Sequence, residues 1–441
     1  MNFFFEYLIK PLNPIDYWDY KIVKKYSLLF RLYIVCHCLK RCLYEKDVSH
    51  FYESLKMFVH FIKHLMLNIC AILLMPFALI IWILGYRFLH VAYWQIGTLS
   101  CQIDLMLKNQ ILQNNNDLKK IVYLCPKNLS ANSELVTLYE EKISIIKNHF
   151  IIFFLNPFLQ LNFLTYNPFF LEHNVPNSSA HKIFSNYQNK FNKNLFNFSK
   201  EKIIRYNEYI QKNFKNIFDK KIITLHTRTN SFYSDKNFTS RNSDLNDYLL
   251  AIKYLTSRNY CVIIFSDKNL NLNLPNVFEL NTSDTFNKKL QIYLISISYF
   301  YINSASGPAF VANLFNTPCV NTNFFPLSQS IGYKLNDITI PKKIYDITEN
   351  KVVKYSKIFS SDLCFVASSR ALERKNLRTI SNDPEEILNG IKEMILILKN
   401  KNINSSDLQS YYKSLLNKRI GCFYGLGNIS NYFLEKNREL I

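Results

Sequence analysis

Glycine is nearly missing from this chain. Only eight occur in 441 residues: Gly85, Gly97, Gly307, Gly332, Gly390, Gly421, Gly425 and Gly427. None of these falls in a Walker pattern or a complete Gly-x-Gly-x-x-Gly fingerprint, so both kinds of glycine-rich phosphate loop are excluded. Each glycine that remains is a candidate for a backbone position that tolerates no Cβ. Carboxylates are also in short supply, 33 against 53 Lys and Arg, for a formal net charge of +20. That balance favours anionic partners. The positive charge is spread along the chain, and neither zinc-finger spacing nor an RNA-recognition signature is present, so no nucleic-acid partner is expected. The ten cysteines are scattered, often inside apolar runs, which fits a reducing compartment and not a disulfide framework. Cys36, His37, Cys38 and Cys42 lack a second paired ligand set, so packing is the better reading there. There is no Asp-x-Asp pair, and no metal or other cofactor is expected.

Apolar residues are plentiful. They make up 49% of the chain against 20% charged, enough for real cores, and the length suits two or three domains. The most apolar stretch is residues 65–84, twenty residues without a charge. As one helix it would be roughly 30 Å long, enough to cross a bilayer core. Lys21, Lys24, Lys25, Arg31, Lys40, Arg41, Lys56 and Lys63 precede it, and only Arg87 follows closely. A single span under the positive-inside rule would put everything beyond residue 85 outside the cell. A re-entrant or interfacial segment bent at Pro76 would keep both flanks inside, with the basic residues on anionic membrane lipid.

From about residue 91 strand and helix patterns alternate. Residues 91–94 and 121–124 suit strands, and 133–145 a helix. Residues 150–164 are very apolar, interrupted by Asn156-Pro157, and suit either core or a surface that touches lipid or a lipid-linked acceptor, with core the safer reading. Further on, residues 222–225, 260–265, 299–302 and 319–320 suit buried strands, with helices expected near 243–255, 285–297 and 309–315. Asp383-Pro384-Glu385-Glu386 opens a long helix. Alternation of this kind argues for a mostly parallel, doubly wound sheet.

Polar groups recur at the carboxyl ends of the expected strands: His226 and Arg228, Ser266 and Asp267, Ser304 and Ser306. In an open parallel sheet these ends share the edge where ligands bind. Arg228 can neutralise phosphate. Ser306 and Gly307 precede a helix start that suits a diphosphate. Asp267 is placed for a ribose hydroxyl or a base edge. Singly, each is an ordinary loop, turn or cap; their recurrence in order is the signal. Cys364 and Arg370 have the spacing of a phosphatase loop but lack its glycines, and are read as coincidence.

These residues carry a resemblance. His226-Thr227-Arg228, Arg241-Asn242, Phe265-Ser266-Asp267, the run from Asn303 through Ser304 and Ser306 to Gly307, and Asn323 to Pro326 resemble the C-terminal domain of the fucosyltransferase-like GT-B group. They look most like a bacterial glycosyltransferase family within it. Gln95-Ile96-Gly97-Thr98-Leu99 is similar to that family's N-terminal glycine loop, with Thr98 where His is expected. The resemblance implies an α/β chain of two Rossmann-like domains (GT-B), and the apolar stretch at residues 65–84 puts an N-terminal membrane-associated helical segment before them. The expected division is 1–90 membrane-associated, 91–215 acceptor domain, 216–400 nucleotide-sugar domain and 401–441 helical tail. It further implies a nucleotide-diphosphate sugar donor and a glycan or lipid-linked acceptor of the cell envelope. Transfer would be metal-independent. Arg228 and His226 are the catalytic candidates. Arg241, Asn242, Ser266, Asp267, Ser304, Ser306, Gly307, Asn323, Gly97 and Thr98 are the substrate-binding candidates. A base must deprotonate the acceptor, and Asp104 and Asp235 are guesses for it. The expected location is the cytoplasmic face of the bacterial inner membrane.

Overall fold

The computed structural model describes residues 48–115, 117–166, 168, 180–214, 217–229, 236–399 and 407–441. The basic residues from Lys21 to Arg41, the Cys36–Cys42 group and Asp235 lie outside the described residues, while Lys56 and Lys63 lie in the helix Val48–Leu73. The chain forms two compact units whose boundaries differ from the expected division. One comprises Met1–Trp94, Asn115–Ala131 and Tyr139–Pro168; the other comprises Gln95–Asn114, Asn132–Leu138 and Phe169–Ile441. The helix Ile96–Leu112, expected in an acceptor domain, therefore belongs with the second unit.

The first unit is built on four short parallel strands in the order β3-β2-β1-β4: β1 Arg87–Leu89, β2 Ile121–Leu124, β3 Ser144–Ile146 and β4 Thr165–Tyr166. Phe88, Val122, Leu124, Ile152, Phe158 and Leu164 fill its core together with Ala78. The strand expected at 91–94 lies earlier, at β1. The helix expected over 133–145 stops at Glu140, and β3 takes its end. Residues 65–84 do not make one straight helix. The segments Phe61–Leu73 and Met75–Ile83 meet at a 68° bend, with Pro76 in the first turn of the second. Proline suits that position because its missing N–H would have no helical partner there. No single helix among the described residues is long and apolar enough to cross a membrane.

The second unit carries a seven-stranded sheet, parallel throughout. Its strands are β5 Lys221–His226, β6 Tyr260–Ser266, β7 Val277–Asn281, β8 Phe300–Ser304, β9 Cys319–Phe324, β10 Ile338–Pro341 and β14 Asn428–Ile429. Their order is β14-β10-β9-β8-β5-β6-β7. The chain starts in the middle, winds outward through β6 and β7, then returns to the other side of β5 for β8, β9 and β10. That is the doubly wound order of dinucleotide folds, with β14 added at one edge. A small antiparallel sheet, β11 Lys343–Asp346, β12 Lys351–Val352 and β13 Leu377–Ile380, follows β10.

Strand alternation explains the layering. Ile223 and Leu225 pack with Ile252, Leu255, Ile391 and Met394 from the helices Leu249–Ser257 and Pro384–Leu398. Thr224, one residue out of phase, faces the opposite side, where its hydroxyl meets Ser298 Oγ at 2.8 Å. The Pro384–Leu398 helix starts with a full capping box between Asp383 and Glu386.

Candidate functional site

In such a sheet, ligands bind outside the carboxyl ends of the strands, where the winding reverses. Here the reversal lies between β5 and β8. These strands bring His226 and Arg228 beside Ser304 and Ser306, all in the second unit.

Hydrogen bonds lock the four together. His226 Nδ1 lies 2.9 Å from Ser306 Oγ. The Arg228 backbone N–H donates to Ser304 Oγ at 2.7 Å. Ser304 is fully buried and Ser306 nearly so, so both hydroxyls hold the strand ends in register. Arg241 grips the same turn from the side. Its Nε and Nη2 both donate to the Ala305 carbonyl, at 3.0 and 2.6 Å. The Arg241 loop is pinned in turn by Ser369 Oγ, which accepts from the Ser240 N–H at 2.7 Å. Below the edge, Asn303 Nδ2 donates to Asn321 Oδ1 at 2.7 Å and Asn321 Nδ2 to Thr339 Oγ1 at 3.3 Å. This amide ladder ties β8, β9 and β10 together.

The electrostatics are cationic. Burial, reinforced by the Arg228 charge and opposed by Asp267, pushes the His226 imidazole down to about 4. It is therefore neutral at pH 7 and adds no charge of its own. The unfolded chain binds a proton near pH 6.5 that the folded ring refuses until about pH 4. Stability is thus lost as pH falls across that window. His181 acts in the same sense, because burial holds it down to about 3. We expect His226→Asn to flatten the dependence of melting temperature on pH between 6.5 and 4, leaving the His181 contribution. Thermal melts across that range check this, and an unchanged slope would rule it out.

Sequence reasoning missed Lys342, which is buried immediately after β10. Its Nζ donates to the Asn242 carbonyl at 2.7 Å, and burial, opposed by Asp247, lowers it to about 8. The strand-end rule that selected Arg228 would also have selected Lys342. The strand went unrecognised because Pro341 closes it.

Other expected residues sit elsewhere or serve the scaffold. Ser266 accepts from the Lys268 N–H at 3.1 Å, and its carbonyl takes the Thr282 N–H and hydroxyl. Asp267 beside it is exposed. Asn323 is fully buried with φ at 49°, and trades hydrogen bonds with Asn382 at 2.5 and 2.7 Å. The glycine loop expected at Gly97 is the first turn of the helix Ile96–Leu112, and Thr98 Oγ1 donates to Gln95 Oε1 at 2.8 Å. Gly97 meets Gly307 directly. A Cβ on Gly97 would lie 2.9 Å from Gly307 Cα, and one on Gly307 2.8 Å from Gly97 N. Both glycines are thus required by close backbone approach. The helix after Gly307 runs only from Ala309 to Leu314, and the Ala309 and Phe310 N–H groups bond to the Ser306 and Gly307 carbonyls. These two N–H groups are satisfied within the turn itself.

Asp104 is fully buried, bound to Lys108 Nζ at 2.7 Å, and pushed upward by burial. A carboxylate so enclosed has no route to an acceptor hydroxyl. Cys364 lies in a short turn, buried, with its thiol pushed up to about 12 by burial, unlike a phosphate-binding nucleophile. A cavity of about 50 Å³ adjoins Arg241, Ser306, Asn321 and Phe325.

No protein-family profile matches the sequence, and no curated protein does. Solved structures show partial likeness. The glycosyl transferase family 9 protein of Veillonella parvula is 11% identical with a TM-score of 0.35, over 54% of this chain and 80% of that one. ADP-heptose lps heptosyltransferase II of E. coli is 13% identical with a TM-score of 0.31, over 53% and 84%. UDP-GlcNAc 2-epimerase of Neisseria meningitidis is 12% identical with a TM-score of 0.25, over 76% and 82%. Likeness at this level carries no argument about activity.

Proposed function

We propose that this chain is a GT-B glycosyltransferase that moves a sugar from a nucleotide-diphosphate donor to a glycan or lipid-linked acceptor of the cell envelope. The observation behind the reading is the reversal of winding between β5 and β8, with Arg228, His226 and Ser306 gathered there. In transfer, the bond from the anomeric carbon to the diphosphate oxygen breaks as the acceptor hydroxyl oxygen bonds to that carbon, and the hydroxyl proton passes to solvent or to the departing diphosphate. Negative charge grows on the diphosphate, and a preorganised guanidinium at Arg228 stabilises it. Arg241 and Lys342 hold the turn and loop around it. Nucleotide sugars are cytoplasmic, so the reading carries a location at the cytoplasmic face of the bacterial inner membrane.

A thermal-shift screen with ADP, GDP and UDP tests the reading. At a hundredfold excess over Kd, a true ligand stabilises by about 2.7 kcal/mol. One diphosphate is expected to raise the melting temperature by several degrees. No response to any of the three would sink the proposal.

The second reading is a nucleotide- or sugar-binding protein of the same fold that no longer turns over. Thr98 engaged with Gln95, and Asp104 sealed against Lys108, favour it by leaving neither as a base. Diphosphate binding without donor hydrolysis or transfer would select this alternative.

A further inference from the structure

The first unit exposes apolar side chains on two helices whose buried residues share one core. On Met75–Ile83 only Ala78 is buried, while Phe77 and Ile83 are 61% and 73% exposed. On His149–Leu155 only Ile152 is buried, while Phe150 and Phe154 are 65% and 53% exposed. Single exposed apolar groups are ordinary, whereas contiguous patches mark an interaction surface. The Trp82 ring of the first helix meets edge-on the exposed Phe163 ring, which follows the second helix in the turn Asn162–Leu164, with centroids 6.4 Å apart. Ala78 and Ile152 also fill one core. A helix apolar on all sides belongs in a protein core or in lipid. Met75–Ile83 offers one buried residue to the core, which leaves its other faces needing apolar surroundings.

Length excludes a crossing by this helix. Nine residues rise about 14 Å, under half of a bilayer's hydrocarbon thickness. The 68° bend before it turns the chain instead of continuing it.

Charge selects the partner. Residues 54–103 contain no Asp or Glu, nor do residues 142–171. Both apolar helices lie in these acid-free stretches, although the chain holds 33 carboxylates. Cations and amphipathic rings mark the edge. After Met75–Ile83 the chain turns at Gly85, with φ at 85°. Arg87 Nη1 then donates to the Trp82 and Tyr86 carbonyls at 3.1 and 2.7 Å, its guanidinium 5.5 Å from the Trp82 ring centre. Lys120, paired with Asp117 at 3.1 Å, packs on Gly85. Indole, phenol and basic groups at the border of an apolar face suit the headgroup level of an anionic membrane.

We infer that the helices Met75–Ile83 and His149–Leu155 form one lipid-docking face, which enters the headgroup–acyl boundary of an anionic bilayer without spanning it. The sequence left an interfacial seating open for residues 65–84 and a lipid-touching surface open for 150–164, with core the safer reading there. The inference commits to the seating and joins the two helices in one face. The inference stands apart from glycosyl transfer, because it concerns the first unit alone and is read by lipid binding.

Flotation of the full chain tests it, using vesicles of phosphatidylcholine alone or mixed with phosphatidylglycerol. The protein is expected to float with the mixed vesicles, less so as salt rises, and only weakly with phosphatidylcholine. Phe150→Glu/Phe154→Glu is expected to cut the floated fraction roughly tenfold, as is Ile80→Glu/Ile83→Glu. The melting temperature and any diphosphate response should be unchanged. If a Glu variant melts early, Phe150→Ser/Phe154→Ser replaces it. A wild-type protein that stays at the bottom of the gradient overturns the lipid face, and a stable dimer in that case assigns it to a second copy. Phe150 and Phe154 variants that float like wild type remove the second helix from the face. Equal flotation with both vesicle types removes the preference for anionic lipid.

Discussion

Arg228→Ala is expected to lower transfer, or donor hydrolysis, by a factor on the order of 10² to 10³. That is the usual loss when one preorganised group facing developing charge is removed. Nucleoside-diphosphate affinity should fall as well, since the guanidinium meets the ground-state diphosphate too. The backbone of Arg228 is fixed by Ser304 Oγ and its carbonyl accepts from the Ser243 N–H, so the loop should persist without the side chain. Arg228→Lys keeps the charge but loses the planar fork, and an intermediate effect is expected. Calorimetric titration with the responsive diphosphate, beside a turnover assay, separates binding from rate. Wild-type affinity and turnover in Arg228→Ala would remove this residue from the site and leave the strand-end reading without its principal cation.

The largest effect on stability is expected at Asp337, far along the chain from the strand ends. Lys334 and Asp337 are both buried, with Nζ and Oδ1 3.2 Å apart. Asp337 Oδ1 also accepts from the Cys319 N–H at 2.9 Å, and Oδ2 from the Lys334 N–H at 3.1 Å. Burial opposes charge on Lys334, yet the Asp337 carboxylate keeps its ammonium above the usual lysine range. Asp337→Ala strands that ammonium and two backbone donors. Breaking a buried pair from one side costs about 3–5 kcal/mol, so a fall in melting temperature on the order of 10 °C is expected. Lys334→Met/Asp337→Asn should recover part of the loss, because no buried charge is left unpaired. A double variant as unstable as Asp337→Ala would show that the charge pair is not the cause.

The second sheet was legible because its central strands are continuous apolar runs closed by small polar residues. Ile222 to Leu225 and Tyr260 to Phe265 lie within β5 and β6, and the helix expected at 285–297 runs from Thr285 to Ile297. The strands at its far edge were not legible. β10 ends in proline and β14 has two residues, so neither shows a period. That Arg228, His226, Ser304 and Ser306 lie together was legible because one rule covers all strand ends. What the rule does not see is which polar groups the scaffold consumes. Asn323 turned toward Asn382, and Gly97 packed on Gly307, answer to tertiary contacts that no local pattern encodes. In the first unit residues 150–164 divide between the two readings, with Ile152, Phe158, Leu159 and Leu164 in the core and Phe150, Phe154 and Phe163 exposed, because apolar sequence alone does not say what surrounds it.

The helix Ile96–Leu112 has a consequence for how the chain is made. Eleven of its residues are buried, yet its partners come from much later in synthesis. Lys108 Nζ bonds the Asn313 carbonyl, and Gly97 waits for Gly307. At the ribosome this helix emerges about seventy residues ahead of Ala180–Phe191, which packs on Cys101 and Leu105, and about two hundred ahead of Asn313, many seconds at ordinary elongation rates. Through that interval the Asp104–Lys108 pair is covered on one side only, by Phe184 and Tyr187. The close approach of Gly97 to Gly307 is thus a contact that only the later part of the chain can complete.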